Sequence, residues 1–94
     1  MKGVMNMHKA KSRFERAVVS ALIAQDKVDN PPVNAVSTRI AMMSDNLECF
    51  VWVEGKRGYW KAKATGKELA AAVDDEAMAS LGERAAREAS WCEP

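Results

Sequence analysis

The pair Pro31–Pro32, preceded by Asp29 and Asn30, divides this chain into two kinds of periodicity. A proline cannot continue the helical hydrogen-bond ladder, and the residue before it is pushed out of helical geometry, so no regular helix crosses this point. Upstream, at about 100° per residue, Phe14, Val18, Ala21, Leu22, Gln25 and Val28 gather on one face, which predicts a helix from about His8 to Lys27. Val19 and Ile23 fall outside that stripe. A helix apolar on a second side wants cover from another element or another subunit, so a homodimer is one arrangement the pattern allows.

Downstream the period drops to two. Val36, Thr38, Ile40 and Met42 alternate with Ser37, Arg39 and Ala41, as in a half-buried strand. Ser44, Asp45 and Asn46 supply a turn through short side chains that bond their own backbone. Glu48 to Val53 (ECFVWV) is apolar on both faces after its first residue, which predicts a central strand. A turn over Glu54, Gly55, Lys56, Arg57 and Gly58 leads into a third strand, Tyr59 to Ala64, with Lys61 and Lys63 on one face and Trp60, Ala62 and Ala64 on the other. Thr65 followed three residues later by Glu68 is a capping box, so a helix starts near Gly66 with Leu69, Val73, Ala77 and Leu81 as its buried side. Asp74 and Asp75 are able to interrupt it, and Gly82 to end it before a short helix from Glu83 to Trp91; one bent helix and two helices both fit. The expected fold class is α+β: a three-stranded antiparallel meander flanked by an N-terminal helix and one or two C-terminal helices, packed on one face.

With 94 residues there is material for one core. Residues 1–7 (MKGVMNM) read as a flexible leader, 8–91 as a single domain and 92–94 as a tail. Nearly half the residues are apolar and the net charge is +1, so the chain as a whole is not disordered. Cys49 and Cys92 match neither a disulfide framework nor zinc spacing, which suits a reducing, cytoplasmic setting. The apolar run Ala17 to Ala24 is too short to span a bilayer. It also makes a poor signal peptide, because Glu15 interrupts its basic flank and Leu22 stands where cleavage wants a small residue.

No chemistry converges. The single histidine, His8, has no serine, cysteine or carboxylate fixed near it, so no catalytic triad can be built. Consecutive helical residues point in different directions, so Asp74, Asp75 and Glu76 do not form a metal site. The expectation is a protein that is not an enzyme and that carries no cofactor or metal. Charge is unevenly spread: residues 1–20 carry five cations against Glu15, and residues 66–94 carry three cations against seven acids. The two ends can therefore seek opposite partners or attract each other.

The one cluster that invites a functional reading is Trp52, Tyr59 and Trp60 beside Lys56, Arg57, Lys61 and Lys63. Aromatic planes among cations hold single nucleic-acid strands, and Trp, Tyr and Arg also dominate protein contacts. Trp60 belongs with the core face, and Trp52 can join it, leaving Tyr59, Lys61 and Lys63 exposed. Trp91, near the end of an Ala-rich segment, either folds back on the domain or docks on a partner. The contact set for a protein partner is Arg57, Tyr59, Lys61, Lys63 and Trp91. The set for nucleic acid is Lys9, Lys11, Arg13, Lys56, Arg57 and Lys67.

The order of elements from Pro31 to Leu81, about half the chain, resembles the double-stranded-RNA-binding domain. Pro31 and Pro32, Phe50, Gly55 and Gly58, Thr65 with Lys67, and Ala77-Met78-x-x-Leu81 fall where that family has its Pro-rich entry, its aromatic in the second strand, its Gly turn, the opening of its last helix and that helix's Ala-Leu-x-x-Leu ending. The resemblance implies an α-β-β-β-α fold and binding of double-stranded RNA across two minor grooves. Gly66 and Ala70 replace two of the family's phosphate-holding lysines, and Met43 to Asn46 lacks its Gly and His, so binding through Lys67 alone is expected to be weak and easily screened. In size and style the chain also resembles short accessory proteins of phages and mobile elements, including inhibitors of host nuclease complexes. With no pocket, metal set or acid/base pair in the sequence, the leading expectation is a non-enzymatic inhibitor or adaptor acting by surface contact with a protein, and the alternative is nucleic-acid binding.

Overall fold

Helix gives way to sheet at Pro31–Pro32, as the change of period requires. The computed structural model describes residues 7–43 and 46–93. Helix α1 (Met7–Ala24) buries Ala10, Phe14, Val18, Ala21 and Leu22. It stops earlier than the apolar spacing suggests, because Asp26 adopts φ 60° and the amides of Lys27 and Asp26 turn back to the carbonyls of Leu22 and Ile23. That is the Schellman ending, with an aspartate in the left-handed position more often held by glycine. Gln25 and Val28 therefore lie beyond the helix. Val28 still reaches the core.

After a single 3-10 turn (Val33–Ala35), the chain forms strands β1 (Val36–Met43), β2 (Asn46–Glu54) and β3 (Tyr59–Thr65). The expected turn residues Ser44 and Asp45 lie outside the described residues, and Asn46 already pairs in β2. Helices α2 (Gly66–Ala71) and α3 (Asp75–Arg87) follow, then a short strand β4 (Ser90–Cys92). All pairings are antiparallel, in the order β1-β2-β3-β4. The fold is α+β, as the sequence indicates, with one strand more than the predicted meander.

Of the two arrangements the sequence allows for residues 66–87, the structure has two helices, because Asp74 takes an extended conformation and its carboxylate accepts from the Ala77 amide, making it the N-cap of α3. The break turns Val73 out to 78% exposure, while Leu69 and Leu81 stay buried. Gly82, read as a stop, lies buried inside α3: a Cβ there would come within 2.5 Å of Ala17 Cβ, so the missing side chain is what lets α1 and α3 meet. The expected final helix to Trp91 ends at Arg87, and Trp91 is in β4.

The core fills the space between the helices and one side of the sheet. Phe14, Val18 and Leu22 from α1 and Met78, Leu81 and Ala85 from α3 meet Cys49, Val51, Val53, Ala62 and Ala64 from the strands. The inward row of β1 supplies Val36 and Ile40, partly buried at the margin, and Thr38, whose hydroxyl donates to Glu15 of α1 at 2.6 Å. Val19 packs at that margin and Ile23 is left exposed. The charge asymmetry is partly settled inside the molecule, since Arg13 of α1 pairs with Asp75 of α3 at 2.9 Å. Lys27 closes the other end of α3 by donating to the carbonyls of Ala86 and Arg87 at 2.8 and 3.3 Å, where the helix dipole favours a cation. Among the described residues no helix is long and apolar enough to cross a membrane.

Candidate contact surface on the open sheet face

Side chains alternate along a strand, so burying Cys49, Val51 and Val53 under the helices forces Glu48, Phe50, Trp52 and Glu54 to the other side of β2. Among the described residues no helix covers that side. The register then decides their neighbours. Phe50 stands between Arg39 of β1 and Lys63 of β3, Trp52 between Ser37 and Lys61, and Glu54 opposite Tyr59. Ser90 and Cys92 of β4 extend the same face beside Lys61 and Tyr59.

Phe50 is only 8% exposed, covered by its neighbours on the face itself. Its ring stacks with Trp52 at 5.8 Å between centroids, and the Lys61 ammonium lies 5.0 Å from its centre. A cation over a ring face is attracted by the ring's quadrupole and keeps its stem on apolar surface. Phe50 is thus the floor of the face and not its contact layer. Above it, Trp52, Tyr59 and Lys61 are half-buried and Arg39 and Lys63 exposed. Among the described residues no carboxylate pairs with Arg39, Lys61 or Lys63. A depression of about 310 Å³ opens between Trp52 and Tyr59, edged by Asn34, Ala35, Ser37 and Glu54.

Three of the five residues read from the sequence as protein contacts, Tyr59, Lys61 and Lys63, come together here. Arg57 lies exposed on the turn at one end of the face. Trp91 does not join them. It pairs with Trp60, whose position is on the helix side of the sheet, and the two rings meet edge to face at 5.2 Å. Trp91 thus folds back on its own domain, yet keeps 42% exposure. Trp52 is on the open side, against the expectation that it could share the core with Trp60.

The nucleic-acid set is scattered. Lys9, Lys11 and Arg13 lie on α1 in the helical layer, and Arg13 is paired with Asp75. Lys56 and Arg57 lie at one end of β3, and Lys67 just beyond the other, roughly 20 Å of strand apart. Sequence reading passed over Arg39 and Phe50. The alternation of β1 already turns Arg39 outward, but only the register shows that it flanks Phe50.

A second, open-sided depression of about 960 Å³ lies at the end of the sheet, bordered by Lys27, Pro31, Glu54, Trp60 and Trp91 among others. Lys27 is already engaged there, with its ammonium 4.8 Å from the Trp60 ring centre and its carbonyl accepting from the Trp60 indole at 3.2 Å. His8 is exposed in the first turn of α1. Among the described residues no group of three or more His, Cys, Asp or Glu side chains is placed to hold a metal ion. No family model matches the chain, and no curated protein or solved structure matches it.

Proposed function

We propose that this chain is a non-enzymatic binding domain that acts by stoichiometric surface contact, as inhibitors and adaptors do, and that its open sheet face receives an anionic macromolecule. The observation that carries this is one of sign. Arg39, Lys61 and Lys63 on the face and Lys56 and Arg57 on its adjoining turn outnumber Glu48 and Glu54, while Arg13, Arg84 and Arg87 are spent on acids of the helical layer. Such a surface raises the local concentration of an oppositely charged partner and speeds its capture. An acidic protein surface and a nucleic-acid strand share that sign. The aromatic rings between the cations tell them apart.

Heparin, an anionic polymer with neither bases nor amino acids, tests the sign alone. The full chain is expected to be retained on immobilised heparin at low salt, with Lys63→Glu eluting at clearly lower salt than Arg16→Glu, an equal charge change on exposed α1. Equal shifts for the two variants would mean that only net charge counts. That result, or no retention at all, would remove the sheet face as the contact surface.

A further inference from the structure

We infer that the occupant of the open sheet face is single-stranded nucleic acid, with a base held between Trp52 and Tyr59 and the backbone phosphates on Arg39, Lys61 and Lys63. This rests on the reading of that face as the contact surface. Three features favour a strand over an acidic protein.

The first is spacing. Lys61 lies opposite Trp52 and Tyr59 lies two residues from Lys61, so the two aromatics are diagonal neighbours on adjacent strands, their backbone positions about 7–8 Å apart. A base sandwiched between two ring planes needs about twice the stacking rise of roughly 3.4 Å. The depression between Trp52 and Tyr59 is at that place.

The second feature is the edge of the depression. Asn34 and Ser37 offer an amide and a hydroxyl, and Glu54 a carboxylate. A carboxylate repels an acidic peptide and a phosphate alike, but it accepts from the exocyclic amino group of a base such as cytosine. Glu54, the acid that lines this depression, is therefore placed for a base edge. The third is access: an open sheet face reaches base faces only where they are unstacked, so the substrate is a single strand and not a duplex. The cations flank Phe50 from both neighbouring strands, which sets them beside a line of bases running over β2 and β3.

The experiment is a fluorescence-anisotropy titration of the full chain against a labelled oligo-deoxycytidine of about 12 nucleotides, at two salt concentrations, with a hairpin duplex and polyglutamate as parallel probes. Expected is saturable, salt-sensitive binding of the single strand, at least tenfold tighter than of the duplex or polyglutamate. Trp52→Ala and Tyr59→Ala should each weaken it about tenfold, and Lys63→Glu should weaken it and flatten its salt dependence. Circular dichroism of each variant separates lost binding from lost folding, and Tyr59→Phe, which keeps the ring, should bind nearly as the parent does. Polyglutamate bound as tightly as the oligonucleotide would overturn the inference and leave the anionic-partner reading standing. Binding that is indifferent to both aromatic substitutions would overturn it too. Failure of all three probes at low salt would end both.

Discussion

Cys49 lies on the inward side of β2 between Ile40 and Ala64, and burial pushes its thiol up to about 11, against a smaller downward pull from Lys11. A thiol that must shed its surroundings to ionise is a poor nucleophile, because the thiolate is the reactive form. At pH 8 iodoacetamide should therefore label Cys92, which is half-exposed in β4, and reach Cys49 only after denaturation; mass spectrometry of the intact protein counts the adducts. Two rapid additions to the folded protein would contradict the packing of β2. The same burial has a pH signature: the folded thiol ionises at higher pH than the unfolded one, so its share of stability is whole below about pH 9 and is lost as the pH rises towards about 11. Glu68 shows the opposite shift. Its carboxylate accepts from the Thr65 amide and pairs with Arg84, which holds it below the usual carboxylate range and strengthens the capping box at neutral pH.

Among the elements, the break between α2 and α3 shows how a local polar group overrides a periodic pattern. Leu69, Val73, Ala77 and Leu81 are spaced for one continuous helix, yet the Asp74 side chain satisfies an amide of α3 and starts a new one. Its neighbours Asp75 and Glu76 add acids to the first turn, where the helix dipole favours them. Asp74→Ala should cost about 1 kcal/mol, read as a lower urea midpoint at unchanged slope. An unaltered midpoint would show that α3 is held by its packing alone. Strand β4 is the converse case. Three residues gain sheet pairing because Trp91 can lie over Trp60 and the Gly55–Gly58 turn; a Cβ at Gly58 would stand 2.2 Å from the Cys92 carbonyl oxygen, so the close approach of β4 needs that glycine.

In the whole molecule the two ends of the described chain close on each other. Helices α1 and α3 pack side by side at Gly82, and Arg13–Asp75 and Lys27 at the α3 C-terminus fasten both ends of the contact. Gly82→Ala forces backbone and Ala17 apart in a place with no free volume. The expected cost is about 1–3 kcal/mol, or a fall of roughly 4–8 °C in Tm per kcal/mol for a domain of this size, in a single cooperative transition. A Tm unchanged within a degree would mean that the helices are not in contact there. Part of the chain's opposed terminal charge is thereby used internally, Arg13 on Asp75, while Arg39, Lys61 and Lys63 on the sheet have no carboxylate partner among the described residues.

Much of this build was legible in the residues themselves. The change of period at Pro31–Pro32, the alternation of β1 and β3, the capping box at Thr65 and the apolar stripe of α1 are all local, because they depend on backbone geometry and on side chains a few positions apart. The opposition of Phe50 to Arg39 and Lys63, the exclusion of Trp91 from the basic face, the fourth strand and the function of Gly82 as a contact point were not legible. Each depends on a register or an interhelical approach between residues far apart in sequence, and no nearest-neighbour preference encodes it. Sequence alone thus determined the α+β class and which side chains β1 and β3 turn outward. Tertiary structure decided which of those side chains share a surface, because one covered face leaves the other to gather its charges and rings from three strands at once.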